Sequence, residues 1–103
     1  MDTSELEESI SSLKRDIKAV KVSISGLEDR IKRYDGLIAA DGGGYDVDAL
    51  KESNDHANGQ ISRLRQRISQ LQTNIAEQRN IIEVLEIREK IAEGVTIDAN
   101  TLN

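Results

Sequence analysis

Residues 6–38 read LEESISSLKRDIKAVKVSISGLEDRIKRYDGLI, with apolar side chains at Leu6, Ile10, Leu13, Ile17, Val20, Ile24, Leu27, Ile31, Tyr34 and Ile38. The gaps alternate four, three, four, three without a break. Apolar residues repeating every 3.5 positions draw one narrow stripe along a helix, the stripe that faces a second helix in a coiled coil. Isoleucine holds every a position (Ile10, Ile17, Ile24, Ile31, Ile38), and Leu6, Leu13, Val20, Leu27 and Tyr34 hold d.

The same pattern returns downstream at Leu50, Asn54, Ala57, Ile61, Leu64, Ile68, Leu71, Ile75, Gln78, Ile82 and Leu85. Between the two runs stands Asp41-Gly42-Gly43-Gly44. Three successive glycines cannot continue a helix, and glycine readily takes the left-handed conformation that ends one. The first helix is therefore predicted over about residues 4–40, a glycine-rich turn over 41–46, and the second helix over about 47–93. Gly94 supplies a second stop, and residues 94–103 read as an extended tail. Ser4 and Glu7 have capping-box spacing, and Asp46 suits the N-cap of the second helix. Gly26 falls on the outer side of the first helix and costs about 1 kcal/mol, too little to end it.

Two helices joined by so short a turn fold back on one another. The predicted fold is all-α: one domain, an antiparallel two-helix coiled-coil hairpin, expected to be oligomeric. Its core comprises the ten residues of the first run together with Leu50, Ile61, Leu64, Ile68, Leu71, Ile75, Ile82 and Leu85. Placing an a residue level with a d residue pairs positions whose numbers sum to 88, such as Ile38 with Leu50, Ile24 with Leu64 and Leu6 with Ile82. Tyr34 then faces Asn54, within reach of a hydrogen bond, and Ile31 faces the small Ala57. Flanking charges attract at Asp35–Lys51 and Glu7–Arg79 and repel at Lys21–Arg65. Exposed pairs are worth about 0–1 kcal/mol each, so packing sets the register.

Composition agrees with a rod. The 103 residues include no Phe, Trp, Pro or Cys and only two Tyr, and about a third are charged. A compact core of this size ordinarily draws on aromatic volume, whereas Ile and Leu fill a two-helix seam. The net charge of −5 is spread over both halves, and neither half is basic. Nucleic acid is not expected as a partner. Without cysteine there is no disulfide, thiol chemistry or Cys-held metal. No apolar run approaches the ~20 residues of a membrane span. The acidic start, Met1-Asp2-Thr3-Ser4-Glu5, does not read as a cleavable signal peptide. The expected location is the cytoplasm, or outside the cell or within a virion by a route that uses no such signal.

Residues that could carry chemistry do not assemble into a pattern. His56 stands alone at an outward position and reads as solvated surface. Arg63, Arg65 and Arg67, two apart, scatter around a helix instead of forming a phosphate-binding stripe. Asp41, Asp46 and Asp48 lack the spacing of a calcium loop and read as turn and cap residues. Gly42 to Gly44 is not followed by Lys-Ser/Thr, so it is not a phosphate loop. Serines 9, 11, 12, 23 and 25 have no paired base. A two-helix rod is expected to offer no concave cavity for acid–base work. No catalytic, cofactor-binding or metal-binding residue is assigned, and the protein is not expected to be an enzyme.

The informative departure lies at the far end of the second helix. That helix outruns the first by about ten residues, or ~15 Å. There Ile81, Val84, Ile87 and Ile91 fall outside the seam, and Val95 and Ile97 follow. A helix apolar on more than one face needs more than one partner. These six residues are the candidate partner-binding surface, for a second copy, for the chain's own tail, or for a different protein. The functional expectation is an interaction module: an adaptor or assembly accessory, for example in a viral particle or a secretion apparatus, or a small helical inhibitor. In size and helix–turn–helix plan the chain also resembles the WXG100 proteins of type VII secretion, which implies a small secreted hairpin or effector partner. The Trp-x-Gly of that family is absent, the turn here reading Asp41-Gly42-Gly43-Gly44-Tyr45, so no residue role is carried over.

Overall fold

The computed structural model describes residues 2–94. They form two helices, α1 (Ser4–Ala39) and α2 (Val47–Ala92), packed against each other as a hairpin. The molecule is a rod of 80 × 25 × 15 Å.

The heptad stripes explain the packing. Every seam residue of α1 from Leu6 to Ile38, and of α2 from Leu50 to Leu85, is buried or half-buried. Burial is uneven. Leu71 and Ala57 are almost fully enclosed, at 1% and 0% exposure, while Leu27 and Leu64 are only half-buried. Two helices cover a seam from one side each, so residues near its edge keep contact with water.

The start of α1 differs from the expected capping box. Thr3 takes the cap position and makes no side-chain bond to a backbone N–H. Its hydroxyl donates to Glu7 Oε1 at 3.2 Å instead. Asp2 supplies the acceptor: its Oδ1 receives the Ser4 N–H at 2.9 Å and the Ser4 hydroxyl as well. An ionised carboxylate accepts more strongly than a hydroxyl. The two bonds from Ser4, hydroxyl first and then N–H, hold the Asp2 carboxyl below its usual pKa. At α2, Asp46 is the cap that the sequence implies, accepting the Asp48 N–H at 3.0 Å.

The turn closes through backbone bonds. Gly42 N–H donates to Leu37 O at 2.7 Å and Asp41 N–H to Ile38 O at 3.1 Å, the paired bonds of a Schellman ending. Four successive residues then have positive φ: Asp41 (59°), Gly42 (89°), Gly43 (55°) and Gly44 (96°). Gly42 is buried, and a Cβ there would collide with the Tyr45 carbonyl oxygen. The position ordinarily given to glycine in this ending belongs here to Asp41.

Asn54 is the buried polar residue of the seam, at 6% exposure. Its Nδ2 donates to Asp35 Oδ1 at 2.9 Å, nineteen residues away on the other arm. The acceptor is thus the neighbour of Tyr34, not Tyr34 itself. The Tyr34 ring instead lies under the Arg30 guanidinium, 5.9 Å from its centroid. Asn54 Oδ1 and Gln78 Oε1, both at seam positions, are buried with no hydrogen-bond partner.

A candidate partner-binding surface at the open end

The Asp35–Asn54 bond fixes how far α1 reaches. Stepping outward from that pair, one residue at a time on each arm, brings Ser4 level with Leu85. Residues 86–92 of α2 therefore extend past the start of α1 by about 10 Å. Ile87 and Ile91 lie on this overhang and are 50% and 61% exposed. Ile81 and Val84 lie beside α1 but turn away from it, at 48% and 47% exposure. At 100° per residue the four spread over an arc of about 120°, centred roughly 130° from the seam. They form a second apolar face, separate from the one α1 covers.

Along that face Asn80, Ile81, Val84, Leu85 and Arg88 line a shallow groove of about 260 Å³. Its walls are mainly apolar, and its volume falls below the ~300–1,000 Å³ usual for small-molecule pockets. A wider, solvent-open concavity runs along the polar face of α1 between Ser4 and Arg15, lined by serines and glutamates. It is an open furrow between exposed side chains standing out from a helix, not an enclosed cavity.

Of the six candidate residues, Ile81, Val84, Ile87 and Ile91 share this end of α2. Val95 and Ile97 lie outside the described residues. Arg88 lines the groove with Ile81 and Val84 and is a member that the apolar pattern does not include. Two further large apolar side chains among the described residues are exposed, Val22 at 67% and Tyr45 at 65%. Val22 is isolated on α1 and Tyr45 belongs to the turn, so neither extends the patch.

His56 and the three arginines at 63, 65 and 67 are all exposed. Among the described residues no group of three or more His, Cys, Asp or Glu could hold a metal ion. No described helix is long and apolar enough to cross a membrane. Comparison with known protein families, with characterised proteins and with solved structures finds no match to the chain.

Proposed function

We propose that the chain is a non-enzymatic protein–protein interaction module, an antiparallel coiled-coil hairpin that works as an adaptor or assembly accessory. It binds through the C-terminal end of α2. The observation that carries this reading is the exposure of Ile81, Val84, Ile87 and Ile91 together at one end of α2, whereas the other exposed large apolar side chains among the described residues, Val22 and Tyr45, stand singly. Fully burying an Ile or Val side chain contributes about 1.5–3 kcal/mol, so covering four half-exposed ones favours association by a few kcal/mol before entropic costs. The spacing of Val84, Ile87 and Ile91, three and then four residues, is that of an amphipathic helix laid against a partner.

The test is the double substitution Ile87→Glu with Ile91→Glu. Both side chains lie on the overhang, so the hairpin should keep its helical content by circular dichroism. Self-association by light scattering, or co-purification of a partner from the native source, should be lost. Unchanged mass together with unchanged co-purification would place the binding surface elsewhere.

A further inference from the structure

The exposed face of α2 carries a second heptad stripe: Asn74, Glu77, Ile81, Val84, Arg88 and Ile91, spaced three, four, three, four, three. All six are exposed. The stripe lies roughly 110° around α2 from the seam, close to the right angle between the neighbours of one helix in a four-helix arrangement. A third helix can therefore lie against it without displacing α1.

We infer that the occupant of this face is the same face of a second copy, running antiparallel, with the two-fold axis passing between Ile82 and Glu83. This rests on the reading of the open end as a binding surface and names its partner. The pattern of charge selects the arrangement. Antiparallel pairing about that axis sets Ile81 against Val84 of the other copy, and Val84 against its Ile81. It also sets Glu77 against Arg88 of the other copy, and Arg88 against its Glu77. Two apolar layers form the centre, an ion pair flanks them on each side, and Asn74 meets Ile91 of the other copy only in the outermost layer, at the exposed rim. A parallel pairing would instead set glutamate on glutamate and arginine on arginine. Sliding the antiparallel pair by one heptad would press Arg88 onto Val84, or Glu77 onto Ile81, and leave each charge without its opposite. One register alone satisfies both, and it is self-complementary, as a two-fold interface requires. The two hairpins then overlap by their open ends over about 27 Å and point their glycine turns in opposite directions.

Charge exchange tests this directly. The wild-type chain should dimerise in sedimentation equilibrium, with a longest dimension in small-angle scattering well beyond the 80 Å of one hairpin. Glu77→Arg and Arg88→Glu should each weaken the dimer on the order of tenfold, because symmetry turns two attractions into two repulsions. An equimolar mixture of the two variants should recover the affinity, since each then meets its opposite at both positions. The double variant E77R/R88E should recover it alone. Single variants as tight as wild type, or a mixture no tighter than its components, would overturn the arrangement. A wild-type chain that stays monomeric while the Ile87→Glu, Ile91→Glu variant still loses a partner would overturn the second copy as occupant and leave the binding end standing. A dimer indifferent to both sets of substitutions would overturn both.

Discussion

Asn54 Nδ2 donates to Asp35 Oδ1 at 2.9 Å, joining the two arms at one polar point within an apolar seam. The other amide atom, Oδ1, is buried without a partner. A polar residue at a seam position commonly fixes register at some cost in stability. Asn54→Leu, nearly the same shape, should raise stability to urea by about 1 kcal/mol, because it removes an unsatisfied acceptor. It should also broaden the range of associated species seen by sedimentation. A loss of stability would show that the bond to Asp35 outweighs that burial.

Leu71, at 1% exposure, is the best-enclosed large side chain of the seam. Leu71→Ala should cost about 2–5 kcal/mol in thermal or chemical unfolding. Leu27→Ala and Leu64→Ala, at half-buried positions, should cost less, and His56→Ala should change little. Equal losses for Leu71→Ala and His56→Ala would contradict the seam as the source of stability.

The turn separates two glycine effects. Gly42→Ala places a methyl group against the Tyr45 carbonyl oxygen at positive φ, and should destabilise by about 1–3 kcal/mol. Asp41→Gly should do the reverse. It relieves a left-handed non-glycine residue and removes a negative charge from the negative end of α1, together worth about 1 kcal/mol. Urea midpoints of the two variants, moving in opposite directions from wild type, are the check.

If the arms run antiparallel with Asp35 beside Asn54, cysteines placed at Ile24 and Leu64 should form a disulfide within one chain under mild oxidation. Cysteines at Ile24 and Leu85 should not. Mass spectrometry of the oxidised monomers decides, and cross-linking of the second pair alone would refute the register.

Asp2 gives the open end a dependence on acidity. Its carboxyl is held below its usual pKa by the two bonds from Ser4. A depressed value means that its contribution is complete above the unfolded pKa, near 4, and is lost as pH falls through the lower folded value. Amide exchange at Ser4 and Glu5 should therefore show the first turn loosening in acid, and Asp2→Asn should remove that step from the profile.

The seam was legible because a 3.5-residue repeat of Ile and Leu has one physical solution, and the stop at Asp41-Gly42-Gly43-Gly44 divides it. The open end was legible for a related reason: Ile81, Val84, Ile87 and Ile91 exceed what one facing helix can cover. Other features depend on three-dimensional detail that residue letters do not carry. Leu27 and Leu71 are the same residue at the same heptad position, and only the facing side chains make one half-buried and the other enclosed. Asp35 sits beside the seam instead of on it, so periodicity pointed Asn54 at Tyr34. Asp2 displaced the expected cap because a carboxylate two residues ahead competes with the hydroxyls of Thr3 and Ser4. Glu77 and Arg88 share a helical face with Ile81 and Val84 by spacing, but they read as ordinary solvated charges until the structure leaves that face exposed.

The four left-handed residues of the turn bear on the order in which the molecule assembles. They bring the end of α1 back to the start of α2 across a very short loop, whose closure takes place in well under a microsecond. Each further heptad then needs only the next residues along each arm, so the chain closes like a zip from the glycines outward, with fast folding as the outcome. Substitutions near Gly42 should act mainly on the folding rate, and substitutions near Leu6 and Ile82 mainly on the rate of unfolding. The end that carries Ile81, Val84, Ile87 and Ile91 is thus the last to form and the first to open, and a companion seated there would slow the chain's unfolding more than it speeds its folding.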